Sequence, residues 1–321
     1  MHTAELMPLG DVGGQEGVPV PESAVEKAIA DLEQALARET FSDAGSLELR
    51  IGLGGMAVSV RLPDSPSFRE AVVRLAARYN AFVSSATPRL VLRVIQKTDL
   101  DPGPFFTPSV RSMHPVHYAL RYDFRVRLDI SRSEGRAVVG PQDVTMAVDS
   151  LIRIAYSFLI TRSGGLLMHA SSVRSRDGRG FVFMGQSGAG KSTVAALLQA
   201  EADALTDEIS LIRMDGSGNR AMVCGTPFCG TLGKGLNAAA PTALFCRLCQ
   251  AKETRLVAVS PPRAAVSRLM QNVVLYAGTA QYFAEALDTC IAVQRRVPVL
   301  DLYFEKNLNF WRSVLEYGGA S

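Results

Sequence analysis

The sequence predicts an α/β protein, α+β overall, with a C-terminal P-loop domain and a smaller N-terminal α+β domain. Three observations point there. Residues Gly185 to Ser192 fit the spacing G-x-x-x-x-G-K-[ST] between a strand-like and a helix-like segment. From Leu166 onward strand and helix patterns alternate around that loop. Earlier in the chain, short Val-, Ile- and Leu-rich stretches with partial alternation are separated by Gly, Pro or Ser, as in a small sheet carrying helices.

The elements follow in order. Residues 1–22 are polar and rich in Gly and Pro, which reads as a disordered tail. Ser23 to Glu39 carries Val25, Ile29, Leu32 and Leu36 at helical spacing, predicting an amphipathic helix. Strands are expected at Leu47–Leu53, Met56–Leu62 and Arg89–Lys97, with a helix near Ser67–Tyr79. A further strand pair is expected from Tyr118–Ile130, where Arg121, Arg125 and Arg127 alternate with apolar residues, and from Arg136–Val139. Gln142 to Leu159 reads as a long helix ending before Ser163-Gly164-Gly165. The expected division is thus an N-terminal domain over 23–141, a candidate for substrate recognition, and a nucleotide domain over 142–321.

The loop has a chemical logic. Its glycines at 185, 188 and 190 permit backbone angles closed to other residues and let main-chain N–H groups approach an anion. The helix that follows directs its free N–H groups and positive dipole end at the same anion. Lys191 supplies a cation for the β- and γ-phosphates, and the Ser192 hydroxyl is placed to ligate Mg²⁺. The predicted nucleotide cradle is therefore Gly185, Gln186, Ser187, Gly188, Ala189, Gly190, Lys191, Ser192 and Thr193. A chance glycine turn is the bland alternative.

Sixteen residues after Lys191, Asp207 and Glu208 lie in the strand-like run Ala204–Ile212. Of two such carboxylates one can hold Mg²⁺, with Ser192, and the other can take a proton from an attacking hydroxyl; solvated acids at a strand end are the alternative. His169 sits in the apolar stretch Leu166–Val173, where an adjacent strand is expected to bring it near Asp207. There it modulates the acid or binds phosphate, or else is a satisfied core histidine.

Composition excludes more than it assigns. With 47% hydrophobic and 20% charged residues in 321, usage is ordinary for a globular chain, and a net charge of +3 with interspersed signs gives no nucleic-acid footprint. No signal peptide is evident, so a cytoplasmic location is expected. The apolar stretch Leu151–Met168 is interrupted by Arg153, Thr161, Arg162 and Ser163, and no membrane role is expected. Cys224, Cys229, Cys246, Cys249 and Cys290 are an odd set, read as reduced thiols; a four-thiolate zinc site is weighed against Cys246 and Cys249 acting as small hydrophobes in an apolar run. Lys234 in a glycine-flanked segment, and Arg263 with Arg268 after Pro261-Pro262, are weaker candidates for phosphate contact. No metal site is expected at His114 and His117, and Phe310 with Trp311 read as packing residues.

Met168-His169-Ala170-Ser171-Ser172-Val173, the loop 185–193 and Leu205-Thr206-Asp207-Glu208 together resemble the strand, loop and acid core of the HPr kinase/phosphorylase superfamily. Its nucleotide domain is similar to that of phosphoenolpyruvate carboxykinase, which implies a mixed sheet. Gly225-Thr226-Pro227-Phe228, Gly230, Asn237, Pro241, Leu244-Phe245, Leu256 and Ser260-Pro261 also resemble an HPr-kinase-related branch found in biosynthetic gene clusters, so the resemblance spans roughly 145–305. Gln186 stands where HPr enzymes tend to carry an acid, Glu208 replaces the second Asp of their pair, and the phosphorylase signature is not evident. The resemblance implies an ATP- and Mg²⁺-dependent phosphotransferase acting on a hydroxyl, with Asp207 as base, assisted by His169 and Lys191, and Glu208 with Ser192 on the metal. The implied acceptor is a serine of a peptide or protein. A sugar or polyol acceptor, or ATP binding without transfer, are the alternatives, and the superfamily suggests a homo-oligomer.

Overall fold

A computed structural model describes residues 20–39, 41, 43, 45–276 and 279–319. The tail expected at the N-terminus lies, up to position 19, outside the described residues. Contacts divide the chain into two units, Met1–Leu159 with Leu275–Ala280, and Ile160–Val274 with Gln281–Ser321. Each has a mixed sheet with helices, so the fold is mixed α/β with α+β character.

In the first unit, helix α1 (Glu22–Arg38) buries Val25, Ala28, Ile29, Leu32 and Leu36 along one stripe. Strands β1 (Leu47–Leu53) and β2 (Met56–Leu62) form a hairpin around Gly54 and Gly55, whose φ values of 60° and 81° suit a two-residue turn between right-twisted strands. Helix α2 (Pro66–Arg78), with proline in its first turn, crosses over to β3 (Pro88–Gln96), which runs parallel to β2. Then come β4 (Ser109–Met113), β5 (Val116–Arg121), β6 (Phe124–Asp129) and β7 (Glu134–Val139), giving the order β1-β2-β3-β7-β6-β5-β4. Leu32 and Leu36 of α1 meet Phe105, Leu120 and Val138 in a shared core.

Two expectations need correction. The stretch read as one strand over Tyr118–Ile130 is a hairpin, because the chain reverses at Tyr122-Asp123 and Arg121 then faces Phe124. The Asp123 carboxylate is buried under Arg121, which grips it through two nitrogens at 2.6 and 2.7 Å. The edge strand β4, with no apolar alternation to announce it, was not expected at all.

Helix α3 (Val144–Arg162) begins in the first unit and ends in the second. It is long and apolar enough to cross a membrane, but 83% of its apolar 18-residue window is buried inside the fold.

The second unit contains β8 (Gly165–Ser175), β9 (Gly180–Met184), α4 (Lys191–Leu197), β10 (Ala202–Thr206), β11 (Ile209–Met214), β12 (Ala221–Cys224), β13 (Ala239–Gln250), β14 (Arg255–Ala258), α5 (Pro262–Met270), α6 (Ala280–Gln294), β15 (Val299–Phe304) and α7 (Asn309–Gly319). β13 lies parallel to both β9 and β15, while the remaining pairings are antiparallel. The pairings β8–β11–β12–β13–β9–β8 return to their start, so five strands form a closed circuit.

Both faces are covered. Val194 and Leu198 by α4, with Phe310 and Val314 of α7, meet Phe183, Leu244, Leu302 and Phe304. Ala265 and Leu269 of α5 and Ala286, Cys290 and Val293 of α6 meet Met168, Met184, Phe245 and Val299. This is why β9 is apolar at every position: strands buried on two sides lose alternation. Cys246 and Cys290 are buried in these cores, and burial pushes both thiols up, Cys290 to about 12. All five cysteines are free, and no cluster of metal-binding side chains occurs among the described residues.

Candidate functional site

The loop leaves the C-terminal end of β9, the edge at which parallel α/β sheets present ligand-binding turns. Its glycines at 185, 188 and 190 have φ of 156°, 77° and 108°. A Cβ at Gly185 would come within 2.7 Å of the Ala189 methyl, and one at Gly190 within 3.2 Å of the Phe304 ring. The turn closes through Ala189 N donating to the Gln186 carbonyl, and α4 starts as Val194 N bonds Gly190 O at 2.8 Å. Gln186, Ser187 and Gly188 form the exposed rim.

Lys191 lies across the inside of this turn. Its Nζ donates to Gly185 O at 2.8 Å and Gln186 O at 3.1 Å, which accounts for two of three N–H donors. The residue is 8% exposed; burial lowers its pKa, and the charge of Glu208 works against that shift. Ser192 and Thr193 follow in the first turn of α4, both partly exposed.

The acid pair sits at a corner, not within one strand as its surroundings suggest. β10 ends at Thr206 and β11 begins at Ile209; after a register shift between Ala204 and Thr206, the two ends share one register against β8, Thr206 facing Ser172 and Ile209 facing His169. Ala170 N still bonds Glu208 O at 3.0 Å across the gap. Asp207 and Glu208 are therefore held in line while their side chains are freed from the ladder.

Their surroundings differ. Asp207 is 2% exposed, and its carboxylate accepts from Gly230 N at 2.8 Å, Leu232 N at 3.0 Å and Thr231 Oγ1 at 3.1 Å. Those donors belong to the segment 225–238, which folds back on the strands: Leu236 N bonds Leu205 O, Ile209 N bonds Phe228 O, and Gly225 N bonds Ala238 O. Gly225 and Gly235 are required where that segment crosses itself, because a Cβ on either would collide with the carbonyl of Leu236 or Thr226. A Cβ on Gly230 would meet both acids, Asp207 Oδ2 at 3.4 Å and Glu208 Oε2 at 3.7 Å. The glycine thus marks where the two carboxylates come together.

His169 has Lys191, and not Asp207, as its charged neighbour. Burial first, then the Lys191 charge, lowers its pKa from 6.5 to about 4, so the ring is neutral at physiological pH. It shares a face of β8 with Ser171, whose Oγ is buried without a hydrogen-bond partner.

Three supports of the loop carry no motif signal. Asn272, just past α5, accepts from Gly185 N through Oδ1 at 3.3 Å and donates Nδ2 to Arg268 O at 2.8 Å, while its carbonyl takes His169 N at 2.7 Å. Gln250 Nε2 donates to Gly188 O at 2.8 Å, and Phe304 lies under Gly190. Only the position of Gln250 and Phe304 at the C-terminal ends of β13 and β15 hints at their role. Of the weaker candidates, Lys234 and Arg263 are exposed. Arg268 approaches Asp301 at 3.9 Å beside the tighter Arg247–Asp301 pair at 2.6 Å. His117 bonds Ser112 Oγ through Nδ1 and lies against Phe158, and Phe310 and Trp311 are core residues.

As a chemical arrangement, the site offers a loop shaped for an anion, a lysine bound into its ring, a hydroxyl and two carboxylates. The donors fit Mg²⁺, which takes hard oxygen ligands and one or two protein carboxylates alongside phosphate oxygens.

Comparison with known proteins gives the following. No curated protein matches the chain. A solved structure, the Hpr(Ser) kinase/phosphatase from Coxiella burnetii, is 9% identical over 48% of this chain and 93% of that one, with a TM-score of 0.25. A family model described as SynChlorMet cassette protein ScmC matches residues 141–316, more than half the chain and the whole of the site described above. The chain belongs to that ScmC family.

Proposed function

We propose that the second unit binds Mg²⁺·ATP at residues 185–193 and transfers the γ-phosphoryl group to a hydroxyl, a serine of a peptide or protein. The observation that carries this reading is the Lys191 ammonium fixed on the Gly185 and Gln186 carbonyls within a turn of three positive-φ glycines. Such a turn presents main-chain N–H groups and one cation to phosphate without reorganisation, and phosphoryl transfer depends chiefly on positioning and charge. The resemblance of residues 168–173, 185–193 and 205–208 to the HPr kinase/phosphorylase superfamily, with its phosphoenolpyruvate carboxykinase-like nucleotide domain, points the same way.

Bound there, Mg²⁺·ATP supplies the transferable phosphoryl group and offsets its negative charge. Ser192 and Glu208 are the residues suited to hold the metal, Glu208 because its charge already acts on Lys191. Asp207 is the proposed base. Its oxygens accept three hydrogen bonds from residues 230–232, one on Oδ1 and two on Oδ2, so a single acceptor position, on Oδ1, is left to take a proton. His169, neutral and beside Lys191, keeps a second positive charge out of the lysine's surroundings.

The same bonds on Asp207 favour a second reading, ATP binding without transfer. Incubation with γ-labelled ATP and Mg²⁺, with serine peptides and polyols in parallel, separates these. Label on a peptide serine is expected; label on a polyol replaces the acceptor class, ATP binding with no labelled acceptor selects the second reading, and no ATP binding overturns both.

A further inference from the structure

Sheet register in the first unit builds a row that no single strand reveals. Glu48 of β1 faces Arg61 of β2, Arg61 faces Arg93 of β3, Arg93 faces Arg136 of β7, and Arg136 faces Arg127 of β6. Tyr118 of β5 and Arg111 of β4 complete the rung. Four guanidiniums thus stand on four consecutive strands, spanning roughly 14 Å at about 4.8 Å per strand. Like charges directly opposed in a sheet are destabilising, so the arrangement needs anions.

Local carboxylates satisfy the row unevenly. Arg61 and Arg93 share Asp43, whose carboxyl Arg93 and then Arg61 hold below its ordinary range. Glu33 of α1 pairs with Arg127 at 3.1 Å and accepts from the Tyr118 hydroxyl at 2.6 Å. Arg136, between them, has the Phe41 ring 5.5 Å from its guanidinium carbon and no carboxylate partner among the described residues. It lines a concavity of about 270 Å³ together with Glu33, Leu36, Arg127, Arg132 and Glu134.

We propose that this concavity docks an acidic peptide segment, with Arg136 receiving one of its carboxylates. Arg127 is paired with Glu33 and Arg132 with Asp129, while the four guanidiniums of the rung have, among the described residues, only Asp43 and Glu33 between them, so Arg136 is left to take an added negative charge, and Glu33 with Glu134 disfavours a dense polyanion such as nucleic acid. A guanidinium fork matches carboxylate geometry bidentately. Beyond the concavity the rung continues through Arg93 and Arg61, farther than a small dicarboxylate reaches, so an extended chain uses it better. The site stands apart from the phosphoryl-transfer reading and is tested by binding alone.

Fluorescence anisotropy of the full chain with a labelled decapeptide alternating Glu and Ser provides the test. Saturable binding that weakens with added salt is expected, with a Lys-and-Ser counterpart not binding. Arg136→Gln weakens binding by about tenfold, the usual worth of one charge-assisted hydrogen bond. Arg136→Lys falls between, keeping the charge without the fork, while Arg174→Gln, which breaks an exposed pair with Asp203 in the second unit, leaves affinity unchanged. Unaltered thermal melting of Arg136→Gln excludes misfolding as the cause. Wild-type affinity in Arg136→Gln, absence of saturable binding, equal binding of a single-stranded oligonucleotide, or equal displacement by citrate at the peptide's own concentration overturns the proposal.

Discussion

Replacing Asp207 by Asn keeps the shape of the side chain and removes its charge. The carboxylate now accepts three hydrogen bonds, from Gly230 N, Leu232 N and Thr231 Oγ1. An amide retains one oxygen. In the less costly orientation that oxygen serves Leu232 and Thr231, and the NH₂ group faces Gly230 N–H, which is exposed and can turn to water. One bond to a charged acceptor is lost at about 2 kcal/mol and two are weakened by about 0.5 kcal/mol each, for a total near 3 kcal/mol. At about 2–4 °C per kcal/mol in a unit of this size, the melting temperature falls by roughly 6–12 °C. Calorimetry reads that shift, limited proteolysis reads cleavage within 225–238, and an ATP titration reads the cradle, whose Lys191 bonds go elsewhere. Affinity for ATP is expected to change by less than about threefold while the segment becomes protease-sensitive. Wild-type melting together with undiminished protection of 225–238 would refute the idea that Asp207 anchors it.

Lys191→Met removes the cation from the turn, and ATP affinity by calorimetric titration should fall about 10- to 100-fold with little change in melting, since a partly desolvated charge is lost along with its bonds. Because the folded pKa of His169, about 4, lies below its unfolded value of 6.5, its contribution is complete above pH 6.5 and is lost as the pH falls toward 4, when the unfolded chain takes the proton first. The loss amounts to about 3 kcal/mol, and urea midpoints at pH 7.5, 5.5 and 4.5 should show a shallower decline for His169→Gln. Gly225→Ala, which drives a methyl into the Leu236 carbonyl and within 2.9 Å of Leu205 O, should cost more than about 3 kcal/mol by urea unfolding. Gly188→Ala has open space and only its φ of 77° against it, and should cost about 1–2 kcal/mol.

What the sequence made legible follows from the range of the forces involved. β1, β2 and β9 begin and end where alternation and glycine turns place them, because hairpin geometry and strand burial are encoded within a few residues. Local patterning could not separate β5 from β6, since Tyr122-Asp123 contains no turn-forming glycine or proline and Arg121, Arg125 and Arg127 sustain one alternation across it. The corner at Asp207-Glu208 is hidden for a related reason: Thr206 and Ile209 on either side of it share one register against β8, so the apolar run reads through it. Partners of the acids and of the loop were out of reach altogether. Gly230, Leu232, Asn272 and Phe304 approach across 23 to more than 80 positions of chain, and Gly230 and Leu232 do so through backbone atoms that leave no side-chain signature. The arginine rung is invisible for the same reason, as each strand contributes one arginine to it and only register aligns them.

Asn272 gives the entrance of the phosphate turn a mechanical connection. One carboxamide clasps the Gly185 amide on one side and the last turn of α5 on the other, while its own carbonyl is fastened to the His169 strand. The mouth of the cradle therefore cannot drift independently of α5, and a force that tilts this helix is transmitted to the turn within a single residue's length.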